Sequence, residues 1–135
     1  MSFFEISHTA DVKIRATAPT LEELFSEAFN ALMQVLYGPD RQGGTGRVIS
    51  LDAEDRESLI RDFLSEVLFI AEVDGLVFSG SDIRIEGCHL VATLDGEPFD
   101  RQRHALGTEV KGISYSGLAI THDANEYILD IVFDV

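Results

Sequence analysis

Cysteine is nearly absent from this chain of 135 residues. Cys88 stands alone, so no internal disulfide can form, and beside His89 it lacks the second cysteine or histidine pair that a zinc site requires. It reads as a small buried hydrophobe. Basic residues are scarce too: 10 Lys and Arg against 24 Asp and Glu leave a net charge of −14. No basic run and no strip of aromatics and arginines is present, and a surface of this sign repels a naked polyanion. Unaided binding to RNA or DNA is therefore not expected. Such a surface suits multivalent cations or a basic protein partner, and solubility alone explains it equally well. Long apolar runs are missing as well. None approaches the roughly 18 to 20 residues that cross a bilayer, and no charged stub followed by an apolar segment opens the chain. The expectation is a soluble, unexported, cytoplasmic protein without membrane contact.

The usual signatures of catalysis are also missing. Ser114 and Ser116 stand in no nucleophile elbow, and His8, His89, His104 and His122 are not spaced as a metal-binding helix pair or a finger. The loop Gly38 to Gly46 has the glycine spacing of a phosphate-binding loop. However, Gly44 occupies the position of that loop's lysine, and the loop follows a helix where a strand is required. It reads as a flexible connection whose glycines permit positive φ.

What the chain does have is a large apolar fraction, 45%, enough for one real core in a single domain spanning residues 1–135. In TLEELFSEAFNALMQVLYGP, Thr20 and Glu23 form a capping pair and Gly38-Pro39 supplies a stop. Leu21, Leu24, Phe25, Ala28, Leu32, Val35 and Leu36 recur at helical spacing between them. A second helix runs through EDRESLIRDFLSEVLFIAEVDG, burying Leu59, Ile60, Phe63, Leu64, Val67, Leu68 and Ala71 and ending at Asp74-Gly75. Strands are expected at 3–6, 12–18, 48–52, 83–86, 89–94, 110–115, 118–121 and 127–133. The turns EGCH, YSG and HDANE have hairpin length, which favours antiparallel neighbours. The expected fold is α+β, a mainly antiparallel sheet with two long amphipathic helices packed on one side.

One connection, Leu94 to Gly107, is long for so small a domain and reads as a docking or lid loop. Within it, His104 is either a proton-transfer group or a hydrogen-bonding surface residue. Strand parity yields a further lead. In the last strand Leu129, Ile131, Phe133 and Val135 point one way, leaving Asp130 and Asp134 on the other face. In the early strand Val12, Ile14 and Ala16 point one way, leaving Asp11, Lys13 and Arg15 on the other. If those strand ends meet, Asp11 and Asp134 converge, with a backbone oxygen of Val135 close by. Such an all-oxygen set suits calcium, magnesium or manganese. An Asx turn at Asp11 and a solvated Asp134 fit the same spacing.

HTADVKI, the capped TLEELFSEAFNAL, EDRESLIRDFLSEVLFIAEVDGLVF, EVKGISY and the closing FDV, in that order and over nearly the full length, resemble the archease family. Members of that family activate RtcB-type RNA ligases, which seal tRNA halves and other RNA ends through a guanylylated ligase histidine. The resemblance implies an archease-like fold and an accessory protein that is not itself an enzyme. It also implies a divalent-metal site on Asp11, Asp134 and the main-chain oxygen of Val135. Lys111 matches a motif lysine. With His8, a hydrogen-bonding support for the opening bend, and His104, it marks a possible surface for the partner. Where many members carry a histidine after an EVKAIT-type segment, this chain reads SYSG, with Ser116 at about that position. Two other functions remain open. One is a metal-dependent phosphohydrolase, against which the missing second-metal ligands and general base count. The other is a chaperone-like acidic modulator of basic proteins.

Overall fold

Thr20 opens the first helix as its spacing from Glu23 predicts: its hydroxyl accepts the Glu23 N–H at 3.1 Å. Helix α1 then runs over Leu21–Tyr37 and stops at Gly38, whose φ of 83° suits glycine and whose N–H reaches the Gln34 carbonyl. The computed structural model describes residues 11–105 and 107–135, so the expected strand at 3–6 lies outside the described residues. Helix α2, Arg56–Asp74, begins where the Asp55 carboxylate accepts the Ser58 N–H and ends at left-handed Gly75. Its buried face consists of the seven residues expected from periodicity. On α1 the buried arc is wider than expected, because Phe29 and Met33 are also fully enclosed.

The α+β class and the antiparallel pairing hold, with the strands divided between two sheets. Strands β1 (Val12–Ala18), β5 (Gly112–His122) and β6 (Tyr127–Asp134) form one sheet in the order β1-β6-β5. Strands β2 (Thr45–Asp52), β3 (Leu76–Glu86) and β4 (His89–Pro98) form the other in the order β2-β4-β3. Both helices touch both sheets: α1 lies on β1, β6 and β3, and α2 on β5, β2 and β3. One continuous core results, which explains why α1 needs apolar residues around more than one face.

Two of the three expected turns are hairpins. Gly87, at φ 62°, lies in the β3–β4 turn where Glu86 faces His89. Asp123 accepts the N–H groups of Asn125 and Glu126 at 2.8 and 2.9 Å in the β5–β6 turn. The third, YSG, is not a hairpin: β5 runs through it as one strand, with a register break between Ser114 and Ala119. Three extra residues arch outward there. Gly117 takes φ 73° and the Ser116 N–H closes on the Ser114 hydroxyl at 3.0 Å. Strand β3 begins earlier than expected, since Leu76, Val77 and Phe78 form a buried run that does not alternate. Cys88 is corrected from core to half-buried, because it occupies the β3–β4 turn. The connection expected from Leu94 also shrinks. Strand β4 continues to Pro98, and the short helix α3 (Arg101–His104) follows. The glycine-rich loop after α1 is pinned: Gln42 N–H donates to Glu97, Gly44 N–H to Asp95 and the Arg41 guanidinium to the Phe78 carbonyl.

Candidate functional site

Strand β6 is the middle strand of its sheet, and its pairing with β1 sets Val12 opposite Phe133, Lys13 opposite Val132 and Arg15 opposite Asp130. The paired ladder ends at Val12 and Phe133, and Asp11 and Asp134 are the next residue of each strand beyond it. On the other flank Gly112 faces Asp134, and the Lys111 N–H donates to the Asp134 main-chain oxygen at 2.7 Å. By alternation from buried Phe133, Asp134 falls on the face of the sheet that carries Lys13 and Arg15. Further along that face Arg15 grips Asp130 through two hydrogen bonds of 2.7 and 3.0 Å, which holds the Asp130 carboxyl below the usual carboxylate range. Asp130 is thus committed to a cation within the protein.

The surroundings of the two aspartates differ. Asp11 edges a depression of about 520 Å³ over the outer face, walled by Lys13 and by Ser114, Ser116 and Gly117 of the β5 arch. Asp134 edges a second depression of about 560 Å³, between α2 and the segment entering β5, with Lys111 on its rim. Lys111 is exposed and precedes the strand, so its side is not fixed by alternation with Ile113. Among the described residues no three His, Cys, Asp or Glu side chains gather within reach of one ion. The available donors near the strand ends are the Asp11 and Asp134 carboxylates and main-chain oxygens. That set fits a hard cation that retains several waters, and does not fit zinc or copper, which favour imidazole and thiolate. His8 lies outside the described residues.

His104, expected on a surface loop, is instead buried. Its Nδ1 accepts the Asp100 N–H at 2.8 Å, which leaves Nε2 to donate to Glu97 Oε2 at 3.2 Å. Arg103 clasps the same carboxylate through two nitrogens and also reaches Asp100. This clasp ties the end of β4 to α3 and to Gln42 of the preceding loop, so His104 works as a structural tie and is not available to a partner. Hydrogen bonds from Arg103 and from the Gln42 N–H hold the Glu97 carboxyl at about 2, well below the ordinary 4.5. Because the folded state lowers this pKa, its stabilisation is complete above the ordinary value and is lost as pH falls toward the folded one. Urea midpoints of Glu97→Gln and the unmutated protein should differ at about pH 7 and converge toward about pH 2. A constant difference over that range would show that the clasp does not depend on the carboxylate's charge.

Other functional candidates escaped the sequence reading. Arg61 donates from Nε to the Ile113 carbonyl at 3.3 Å, and its guanidinium lies over the Tyr115 ring at 4.3 Å. Phe69, on the same side of α2, is 58% exposed. Only an outward-facing helical spacing signals them beforehand, and such spacing is common.

The profile of the Archease protein family matches residues 3–135. The chain is 36% identical to the protein archease of Methanosarcina barkeri over 136 residues, covering 96% of this chain and 93% of that one. It is 32% identical to the protein archease of Methanopyrus kandleri, with both chains covered completely. The solution structure of protein 1598 of Methanobacterium thermoautotrophicum superposes with a TM-score of 0.82 at 28% identity, over 98% of this chain and 96% of that one. The crystal structure of an archease from Thermotoga maritima, described as a possible chaperone, superposes with a TM-score of 0.73 at 24% identity, over 100% and 98%. The last of these speaks for the fold alone.

Proposed function

The chain belongs to the archease family, and from that premise we propose that it is a cytoplasmic accessory protein that activates an RtcB-type RNA ligase in tRNA splicing or RNA repair. The observation that carries this reading is the β1–β6 pairing, whose last pair, Val12 with Phe133, leaves Asp11 and Asp134 as the next residue beyond it on each strand. In this reading Asp11, Asp134 and the main-chain oxygen of Val135 hold a divalent cation, calcium, magnesium or manganese. The bound ion would supply positive charge and open coordination positions for a phosphate or a partner carboxylate. The protein's own residues supply the rest. The two carboxylates fix the position from the two strands, Lys111 stands beside Asp134 as an exposed cation, and the acidic surface favours the basic active-site region of a ligase over free RNA. By docking there, the protein would hold the ligase in the state competent for guanylylation and repeated turnover. A second reading, a chaperone-like modulator of basic clients, rests on the net charge of −14.

GTP-dependent RNA joining by the cognate ligase separates these. Asp11→Ala and Asp134→Ala should retain the fold by circular dichroism yet reduce multiple-turnover joining to that of the ligase alone, and calorimetric manganese binding should vanish with it. Full stimulation by both variants would remove the site from the mechanism. Stimulation that is only stoichiometric, and indifferent to both aspartates, would favour the chaperone-like reading.

A further inference from the structure

On α2, Arg61, Ser65 and Phe69 recur four residues apart along the flank beside buried Leu64 and Leu68, and all three border the depression that ends at Asp134. Phe69 is 58% exposed, and Val73, one turn further on, is 63% exposed. Phe69 thus stands exposed on the rim of a cleft of about 560 Å³, with Val73 next to it along the helix. We propose that this groove, between α2 and the segment entering β5, is where the ligase docks, by inserting an apolar side chain flanked by lysine or arginine. The proposal rests on the activator reading above and extends it by assigning the docking surface.

Charge selects the occupant. Glu72, Glu109 and Asp134 border the groove. Of its two cations, Arg61 is already engaged with the Ile113 carbonyl and the Tyr115 ring. A phosphate backbone entering here would meet three carboxylates, and a second copy of the chain would bring another net charge of −14. A basic protein segment meets complementary charge at the rim and a phenyl ring within it, the arrangement in which a buried aromatic anchor dominates affinity. The groove is also continuous with the proposed metal position, because Asp134 belongs to both. A partner seated on Phe69 is therefore carried to the strand ends.

The test is the dissociation constant of the complex with the cognate ligase, read by titration calorimetry, alongside RNA joining. Phe69→Asp lies on the surface and should leave the melting curve unchanged while weakening binding at least about tenfold. Val48→Asp, equally exposed but on the separate β2 flank of α2, should bind within about twofold of the unmutated protein. Raising salt should weaken the complex further. Normal binding by Phe69→Asp, with stimulation intact, overturns the groove and leaves the activator reading standing. Absence of both binding and stimulation by the unmutated protein overturns the activator reading and the groove with it. A dimer that Phe69→Asp converts to a monomer would assign the groove to a second copy and likewise overturn the proposal.

Discussion

Phe29→Ala should lower the free energy of unfolding by about 3–5 kcal/mol, the cost of emptying a fully enclosed aromatic site. Phe29 is inaccessible to solvent, and its ring lies 6.5 Å from that of Phe63 on α2 and 6.4 Å from that of Phe78 on β3. Phe25 in turn lies 6.3 Å from Phe63. Phe29 therefore holds α1 against the other long helix and a strand at once. The neighbours that would have to close the void belong to different elements, each anchored elsewhere. Partial collapse of one ring leaves a gap beside another, which places the expected loss toward the upper half of the range. Phe69→Ala, the same truncation on an exposed side chain, should change stability by less than about 0.5 kcal/mol. Urea unfolding followed by circular dichroism gives both values. A loss below about 1 kcal/mol for Phe29→Ala would show that the core repacks around the missing ring.

That site also marks where periodicity misleads. For α2 the seven inward residues were legible, because the helix buries a single arc at the regular spacing. For α1 the same rule omitted Phe29 and Met33, because α1 touches strands of both sheets and buries a wider arc than one face. Alternation in β1 and β6 separated Asp130 and Asp134 from buried Leu129, Ile131 and Phe133, and Lys13 and Arg15 from buried Ala16, since a strand with one buried side admits little ambiguity. It could not say that the two strands are partners; that follows from the register, which sets Val12 against Phe133. The clasp of Glu97, Arg103 and His104 was invisible in advance. Residues six and seven apart meet only because β4 continues to Pro98 and α3 turns back over it. The arch at Tyr115 looked like a hairpin turn because Ser and Gly serve both purposes, and only the pairing on either side of it distinguishes a bulge from a turn.

The placement of functional groups follows from these same features. A middle strand flanked on both sides is the most constrained element of a small sheet. Asp134 at its end is positioned by its pairing with Gly112 and by the Lys111 N–H bond to its main-chain oxygen. The segment before β5 is less constrained by pairing and depends on how it crosses α1, which gives Gly107 an importance disproportionate to its size.

Gly107→Ala should destabilise the protein by about 1–3 kcal/mol, as overpacking against rigid atoms does. A Cβ at this position would lie inside van der Waals contact of the Leu36 carbonyl and 2.6 Å from the Tyr37 nitrogen. Both are backbone atoms of the last turn of α1, so no side-chain rotation relieves the clash. The chain cannot simply lift away. The next residue, Thr108, donates its N–H to the Val35 carbonyl at 2.7 Å, and Val110 is buried beyond it. Displacing this strap loosens the Thr108 bond first and then the Lys111 N–H bond to Asp134, the residue on which the proposed metal site depends. Amide exchange should therefore accelerate at Thr108 and Lys111 before it changes in β6. Gly80→Ala is the matched control, because a Cβ there meets nothing within 4 Å. Its stability should stay close to that of the unmutated chain or rise slightly through reduced freedom of the unfolded state. If Gly107→Ala behaves like Gly80→Ala, the strap yields without cost and cannot be what positions Lys111 beside Asp134.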